Sequence, residues 1–489
     1  MASRPKTPRW YLAGMPIMPR ASFLAFLLLA ACGSSTSEPA HADADVAARE
    51  PAGETEGVSF HFFSDRGGAR REVTEIVYSD RFTTVVEGLP QGAEVTLTTR
   101  MYAPSAKGRG YTSKVVFLTG DDGRIDTSTM APIRGSYTDV DPDGILWSMT
   151  EGELEEGLYE DRGAAIFSAS VEGAVVAAAA LGRLLTTADV EVTPVTTNGL
   201  VAELFMPKDA VDRVPVVALG GSEGGIWSGE TFAMRLASLG HPTLALAYFG
   251  MEGLPSQLDD IPLEYFEKAF TWLEQQPGLR KGKVVVLGVS RGGELALQLG
   301  ATFPNVAAVI AEAPSSVRWA GLAEDRSAAW TFEGKALPFM PEASGDPLVA
   351  SVEGPGGKTA WALRPMFEAR MTSASPAELA AARIAVENTQ GPVLMLSGAD
   401  DQMWPACEFA ASALTRLQET GHHAKYGDES VCYPEAGHSI GSIGLPATDS
   451  MWAPIGASMY ALGGTARGNA RAGRQTDERI RAFLDRVAR

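Results

Sequence analysis

The sequence predicts an α/β protein, with an N-terminal immunoglobulin-like β-sandwich followed by a domain built on a doubly wound, mostly parallel sheet. Three observations carry that reading. Short runs of alternating apolar and polar residues fill 58–188, and apolar strands alternating with amphipathic helices begin beyond Val190. At 489 residues the chain is long enough for two such cores. With 45% hydrophobic and 21% charged residues the composition is that of a globular chain, which excludes wholesale disorder and a multi-spanning membrane protein. The 41 basic residues are outnumbered by 60 acidic ones, a net charge of −19, so no basic footprint exists and no nucleic-acid partner is expected. Cys32, Cys407 and Cys432 are too few for a disulfide-dense scaffold or a multi-cysteine metal site.

The first element is a targeting signal over 1–31. Arg4, Lys6, Arg9 and Arg20 precede an apolar run, Ala21 to Ala31, too short to span a bilayer as a finished helix. The run ends in Leu29-Ala30-Ala31-Cys32-Gly33, which resembles a bacterial lipobox and marks Cys32 for lipidation. Two acyl chains anchor a protein stably without crossing the membrane, so a lipoprotein of the cell envelope is expected, and Gly33 favours the outer membrane. Residues 32–57 are poor in large apolar side chains and read as a flexible tether.

In the β-sandwich, 58–188, Val95 to Met101 alternates with the period of a half-buried strand. Lys114 to Leu118 and Ala164 to Val171 are further strand-like runs, and Gly88 to Gly92 and Asp121 to Gly123 carry turn chemistry. His61 reads as a surface or packed residue, and Trp147 with Met149 as core.

In the second domain, 190–489, buried-type strands are expected at Val214–Leu219, Thr243–Ala247, Lys283–Gly288, Ala307–Ala311 and Val393–Ser397, with helices at Glu230–Leu239, Leu263–Gln275 and Gly292–Thr302. One strand runs into Gly288-Val289-Ser290-Arg291-Gly292 and then a helix, the context that makes Gly-x-Ser-x-Gly a nucleophile elbow and the domain an α/β-hydrolase domain. Ser290 is the candidate nucleophile, and the Arg291 backbone N–H at the helix N-terminus a candidate oxyanion donor. Chain order then requires an acid and a histidine downstream. The histidine is His438 after Tyr433-Pro434-Glu435-Ala436-Gly437, and the acid is one of Asp400 and Asp401, the other serving the turn. The remaining donors are sought in Gly220-Gly221-Ser222-Glu223-Gly224-Gly225, at Ser222 and Glu223. Glu223 can equally be a solvated turn residue. His422 and His423 read as a solvated turn, and no metal or redox cofactor is implied.

These segments carry a resemblance. Gly288 to Leu297, Leu246-Ala247-Tyr248-Phe249 through Leu254-Pro255, Ile261 to Glu267, Cys432 to His438, and in the first domain Arg134 to Tyr137 with Asp143 to Met149, look like the acyl-CoA thioesterase and bile acid-CoA:amino acid N-acyltransferase family. The likeness covers nearly all of the chain beyond the tether. It implies a triad of Ser290, Asp401 and His438 and a thioesterase activity, since amidating relatives carry cysteine where this chain has Ser290. Arg291, where relatives often have lysine, is either a contact to acyl-CoA phosphate or, preferably, a surface charge on the helix.

Two features set this chain apart from that family. Acyl-CoA thioesters are intracellular, whereas the N-terminus reads as an export signal, so the alternative substrate is an oxygen ester met in the envelope. The segment between Trp319 and Glu387 falls where this fold inserts a lid and is expected to set substrate choice. Cys407 and Cys432 flank the acid and histidine loops, either as a disulfide or as two isolated cysteines. The reading is a lipid-anchored serine hydrolase acting on a small-molecule acyl thioester or ester. Its rival from another class is a surface-binding lipoprotein with a catalytically dead second domain, against which all three triad residue types stand in the required order.

Overall fold

The structure, a computed structural model, describes residues 57–102, 109–153, 163–323, 326–341, 349–440, 443–455 and 458–487. The signal segment, Cys32 and the tether up to residue 56 lie outside the described residues.

Residues 59–184 form two sheets over one core. The smaller sheet runs Arg71–Glu72, Ser59–Ser64, Thr83–Glu87, Ile125–Asp126; the larger is built on the antiparallel strands Ala174–Leu184, Ala164–Val171, Glu94–Tyr102 and Arg109–Leu118. Alternation does the packing: Val95 and Leu97 pair with Phe117 and Val115, and all four are buried. Between the sheets Phe62 and Phe167 lie 4.8 Å apart by ring centroid, and Trp147 and Met149 join the same core.

The second domain is an eight-stranded sheet in the order Val190–Val195, Val201–Pro207, Thr243–Ala247, Val216–Leu219, Val284–Val289, Val306–Glu312, Val393–Gly398, Glu429–Tyr433. The first two strands are antiparallel to their neighbours and the other six are mutually parallel. The parallel strands are near-continuous apolar runs because both faces are covered. Leu295 and Leu299 of helix Arg291–Thr302 pack with Val309 and Ala311 on one face; Phe232, Leu236, Ile480 and Phe483 pack with Ile310 and Leu394 on the other. The chain turns to one side after Val216–Leu219 and to the other before Val284–Val289, so the strand order reverses between these two neighbours. That reversal is where an open α/β sheet leaves a crevice at its carboxyl ends.

The two domains are joined by specific contacts. Ala447 and Ala470 pack into the sandwich core, the Tyr78 hydroxyl donates to the Thr231 carbonyl at 2.9 Å, and Arg474 reaches Asp141 at 2.9 Å. Between Trp319 and Glu387 the chain adds short strands at Trp330–Phe332, Ala350–Glu353 and Thr359–Ala362 and the helices Arg364–Ser373 and Pro376–Ala382. The second of these helices starts on a capping box, Ser375 with Glu378.

Candidate active site

Ser290 sits between strand Val284–Val289 and helix Arg291–Thr302 with φ 58° and ψ −120°, a conformation that costs a non-glycine residue on the order of 1–3 kcal/mol. The surroundings impose it. The Ser290 N–H donates to the Glu312 carbonyl at 2.9 Å, and a side chain on Gly292 would stand 2.2 Å from the Gly220 carbonyl oxygen. Glycine at 292 is therefore required for the loop after Val216–Leu219 to lie against the elbow. The result is a serine hydroxyl raised above the carboxyl end of the sheet.

His438 Nε2 lies 2.9 Å from Ser290 Oγ, and His438 Nδ1 lies 2.7 Å from Asp401 Oδ2. Asp401 is fully buried, and its second oxygen accepts the Met403 and Trp404 N–H groups at 2.8 and 3.1 Å. Those two bonds aim the carboxylate at the ring, the condition for fixing one tautomer of the imidazole. Asp400 is the turn residue: its carboxylate accepts Gln402 Nε2 at 2.6 Å and the Gly464 N–H at 2.9 Å. The Trp404 ring meets His438 edge-on at 5.7 Å and shields it from one side.

The structure brings Ser290, Asp401 and His438 together. Arg291 is the first residue of its helix, where a backbone N–H has no partner in the helix ladder. Ser222 and Glu223 belong to the loop beside it, and the Glu223 carboxylate folds back to accept the Gly221 N–H at 2.9 Å.

Two expectations are corrected. The Arg291 side chain is not a surface charge: it is buried, donating to the Ala320 and Trp319 carbonyls at 2.9 and 3.1 Å and pairing with Glu294 at 3.3 Å. Nor is His422 in a solvated turn. It is buried, 2.7 Å from Asp428 and 2.8 Å from the Thr389 carbonyl; burial pushes its pKa down, but these two partners outweigh burial and hold it above the ordinary value. Asp428 lies six residues further on, and the fold of Gly421–Gly427 is what returns it to the ring.

Sequence reasoning left several residues near the site unread. Trp404 is one, signalled by its place three residues after Asp401. Glu294 and Gln298 are others, since with Arg291 they mark one stripe of an otherwise apolar helix. Arg318 donates to Gln298 at 2.8 Å and Trp330 Nε1 to Glu294 at 2.7 Å, so this buried stripe fastens the inserted segment to the helix behind the nucleophile. Cys407 and Cys432 form a disulfide with Cα atoms 5.5 Å apart, closing a span of 25 residues between the acid loop and the strand before His438.

Comparison with known proteins identifies relatives of both domains. A family model described as the acyl-CoA thioester hydrolase/BAAT N-terminal region matches residues 80–197, and one described as the BAAT / acyl-CoA thioester hydrolase C terminal matches residues 261–488. Acyl-coenzyme A thioesterase 6 of Homo sapiens is 26% identical over 82% of this chain and 91% of its own length, and that of Mus musculus 27% identical over 84% and 94%. Acyl-coenzyme A thioesterase 1 of Rattus norvegicus is 26% identical over 74% and 83%. Among solved structures, an esterase of Pyrobaculum calidifontis aligns with 61% of this chain and 86% of its own at 16% identity and a TM-score of 0.36. The fold assignment rests on the strand order above and on the family models. The chain belongs to the acyl-CoA thioester hydrolase/BAAT family and is an ester or thioester hydrolase with an α/β-hydrolase domain.

Proposed function

We propose that this chain is a serine thioesterase of the acyl-CoA thioesterase type, working through an acyl-enzyme on Ser290. The observation that carries the reading is the continuous hydrogen-bonded line from Asp401 through His438 to Ser290. His438 Nε2 takes the hydroxyl proton as Ser290 Oγ attacks the acyl carbonyl, and Asp401 stabilises the imidazolium that forms. The Arg291 N–H and those of Ser222 and Glu223 receive the developing oxyanion, and His438 returns its proton to the departing thiolate. Water then repeats the sequence on the acyl-enzyme and releases the carboxylic acid. The names of the relatives supply the acyl-CoA thioester as substrate class, and serine rather than cysteine at position 290 supports transfer to water.

The reading extends to an exported, Cys32-anchored protein. The Cys407–Cys432 disulfide supports an oxidising compartment, which favours oxygen esters as a second substrate class there. Purified protein without its tether is assayed beside Ser290→Ala on acyl-CoA thioesters and matched oxygen esters. Loss of at least about a thousandfold in kcat on the preferred substrate is expected. Turnover that survives in Ser290→Ala would exclude the mechanism.

A further inference from the structure

The loop that follows strand Val216–Leu219 carries a carboxylate that the mechanism above does not use. Glu223 is half-buried and does not extend into solvent; it turns back over its own loop, and its Oε1 accepts the Gly221 N–H at 2.9 Å. A methyl group placed on Gly221 would stand 2.9 Å from Glu223 Oε2 and 3.1 Å from the Ser290 Cβ. The Glu223 carboxylate and the Ser290 Cβ thus both border the space that a side chain on Gly221 would fill. From beneath, the buried Tyr248 hydroxyl donates to the Gly220 carbonyl at 2.7 Å, with the Gly221 carbonyl 3.3 Å away. The two glycines are therefore fixed through their carbonyls by Tyr248 and through one N–H by Glu223.

We propose that Glu223 is a positioning and specificity-determining residue of the esterase site: its hydrogen bond sets the shape of the oxyanion loop, and its negative charge beside Ser290 selects against acyl groups that carry a carboxylate near the reacting carbonyl. The inference rests on Ser290 being the nucleophile. Its physical basis has two separable parts. A glycine pair has no side chains to hold its conformation, so a loop that must present backbone N–H groups in one direction depends on the groups bonded to it. A carboxylate held in the loop beside the nucleophile repels a second anion, which biases a comparison of two otherwise matched substrates.

The test uses 4-nitrophenyl butyrate as a neutral ester and 4-nitrophenyl hemisuccinate as its anionic counterpart, with Glu223→Gln and Glu223→Ala. Wild type is expected to favour butyrate, and Glu223→Gln to narrow the ratio of kcat/KM between the two esters by about tenfold. Glu223→Ala removes the hydrogen bond as well, and is expected to lower kcat on butyrate about tenfold while moving KM less; Glu223→Gln, whose amide oxygen accepts the same N–H, recovers most of that loss. An unchanged selectivity ratio in Glu223→Gln overturns the charge role, and equal kcat in Glu223→Gln and Glu223→Ala overturns the positioning role. Ser290→Ala assayed in parallel separates the two readings: butyrate turnover that persists there refutes the nucleophile itself, whereas turnover lost there beside an unchanged ratio refutes only the role of Glu223.

Discussion

Glu312 ends the strand next to the nucleophile strand, with its carbonyl holding the Ser290 N–H and its side chain on the opposite sheet face from helix Arg291–Thr302. Neither carboxylate oxygen has a hydrogen-bond partner, and burial pushes its pKa up to about 7, with Arg235 pulling it down and Asp477 pushing it up. The group therefore keeps its proton in the folded state at pH values where the unfolded chain has released it. A carboxyl raised in this way leaves the fold most stable below its unfolded pKa, near 4.5, and stability falls as pH rises to about 7. Above that the loss is constant, on the order of 3 kcal/mol. Glu312→Gln is expected to raise Tm at pH 8 and to change it little at pH 4, as read by thermal melts; an equal shift at both values would contradict a protonated Glu312. This residue also marks a limit of sequence reading. Ser290 and His438 stand in motifs whose flanking residues announce them, whereas Glu312 closes an apolar run, Val306 to Ala311, that says only "buried strand". Which charges face it depends on Arg235, 77 residues before, and Asp477, 165 after, information that no local pattern carries.

At the scale of elements the acid and base are held by a strand and a helix that the disulfide joins. Cys407 lies in the first turn of helix Ala406–Glu419, just beyond the acid loop, and Cys432 in strand Glu429–Tyr433, six residues before His438. Closing a loop of this length removes unfolded-state entropy worth about 3 kcal/mol. The double variant Cys407→Ser/Cys432→Ser is expected to lose about that much stability in melts. In cells exporting the protein, alkylation before reduction is expected to modify neither Cys407 nor Cys432; alkylation at both positions would exclude the oxidised, exported form. The sheet itself was largely legible, because valine-rich runs such as Val284 to Leu287 and Val393 to Leu396 have few other uses. The buried polar stripe of Arg291, Glu294 and Gln298 was not. Helical spacing of polar residues ordinarily means a solvated face, and here the inserted segment covers it, bringing Trp330 and Arg318 as partners.

For the whole molecule, the strand order places the elbow, the glycine loop and the histidine loop at one end of the sheet, and the sandwich braces that end from the side. The chain returns from His438 through Ala447, whose N–H donates to the Trp147 carbonyl at 3.0 Å, before helix Ala466–Val487 covers the back of the sheet. The segment that follows His438 is thus anchored to the sandwich core, so the cluster of Ser290, Asp401 and His438 is braced by both domains. The cluster of Ser290, Asp401 and His438 was more legible than its supports because a Gly-x-Ser-x-Gly motif and an expected chain order point to its members, while the segment from Trp319 to Glu387 follows no such pattern and packs around Trp319, Phe367 and Trp404. The central claim is that Ser290 is the activated nucleophile of an Asp401–His438 pair. A fluorophosphonate reacts only with a serine made nucleophilic by its base, so peptide mapping of the labelled protein tests the claim directly. The adduct is predicted on the peptide containing Ser290, absent in Ser290→Ala, and formed at least about a hundredfold more slowly in His438→Ala. Labelling at another serine, or an undiminished rate in His438→Ala, would contradict it.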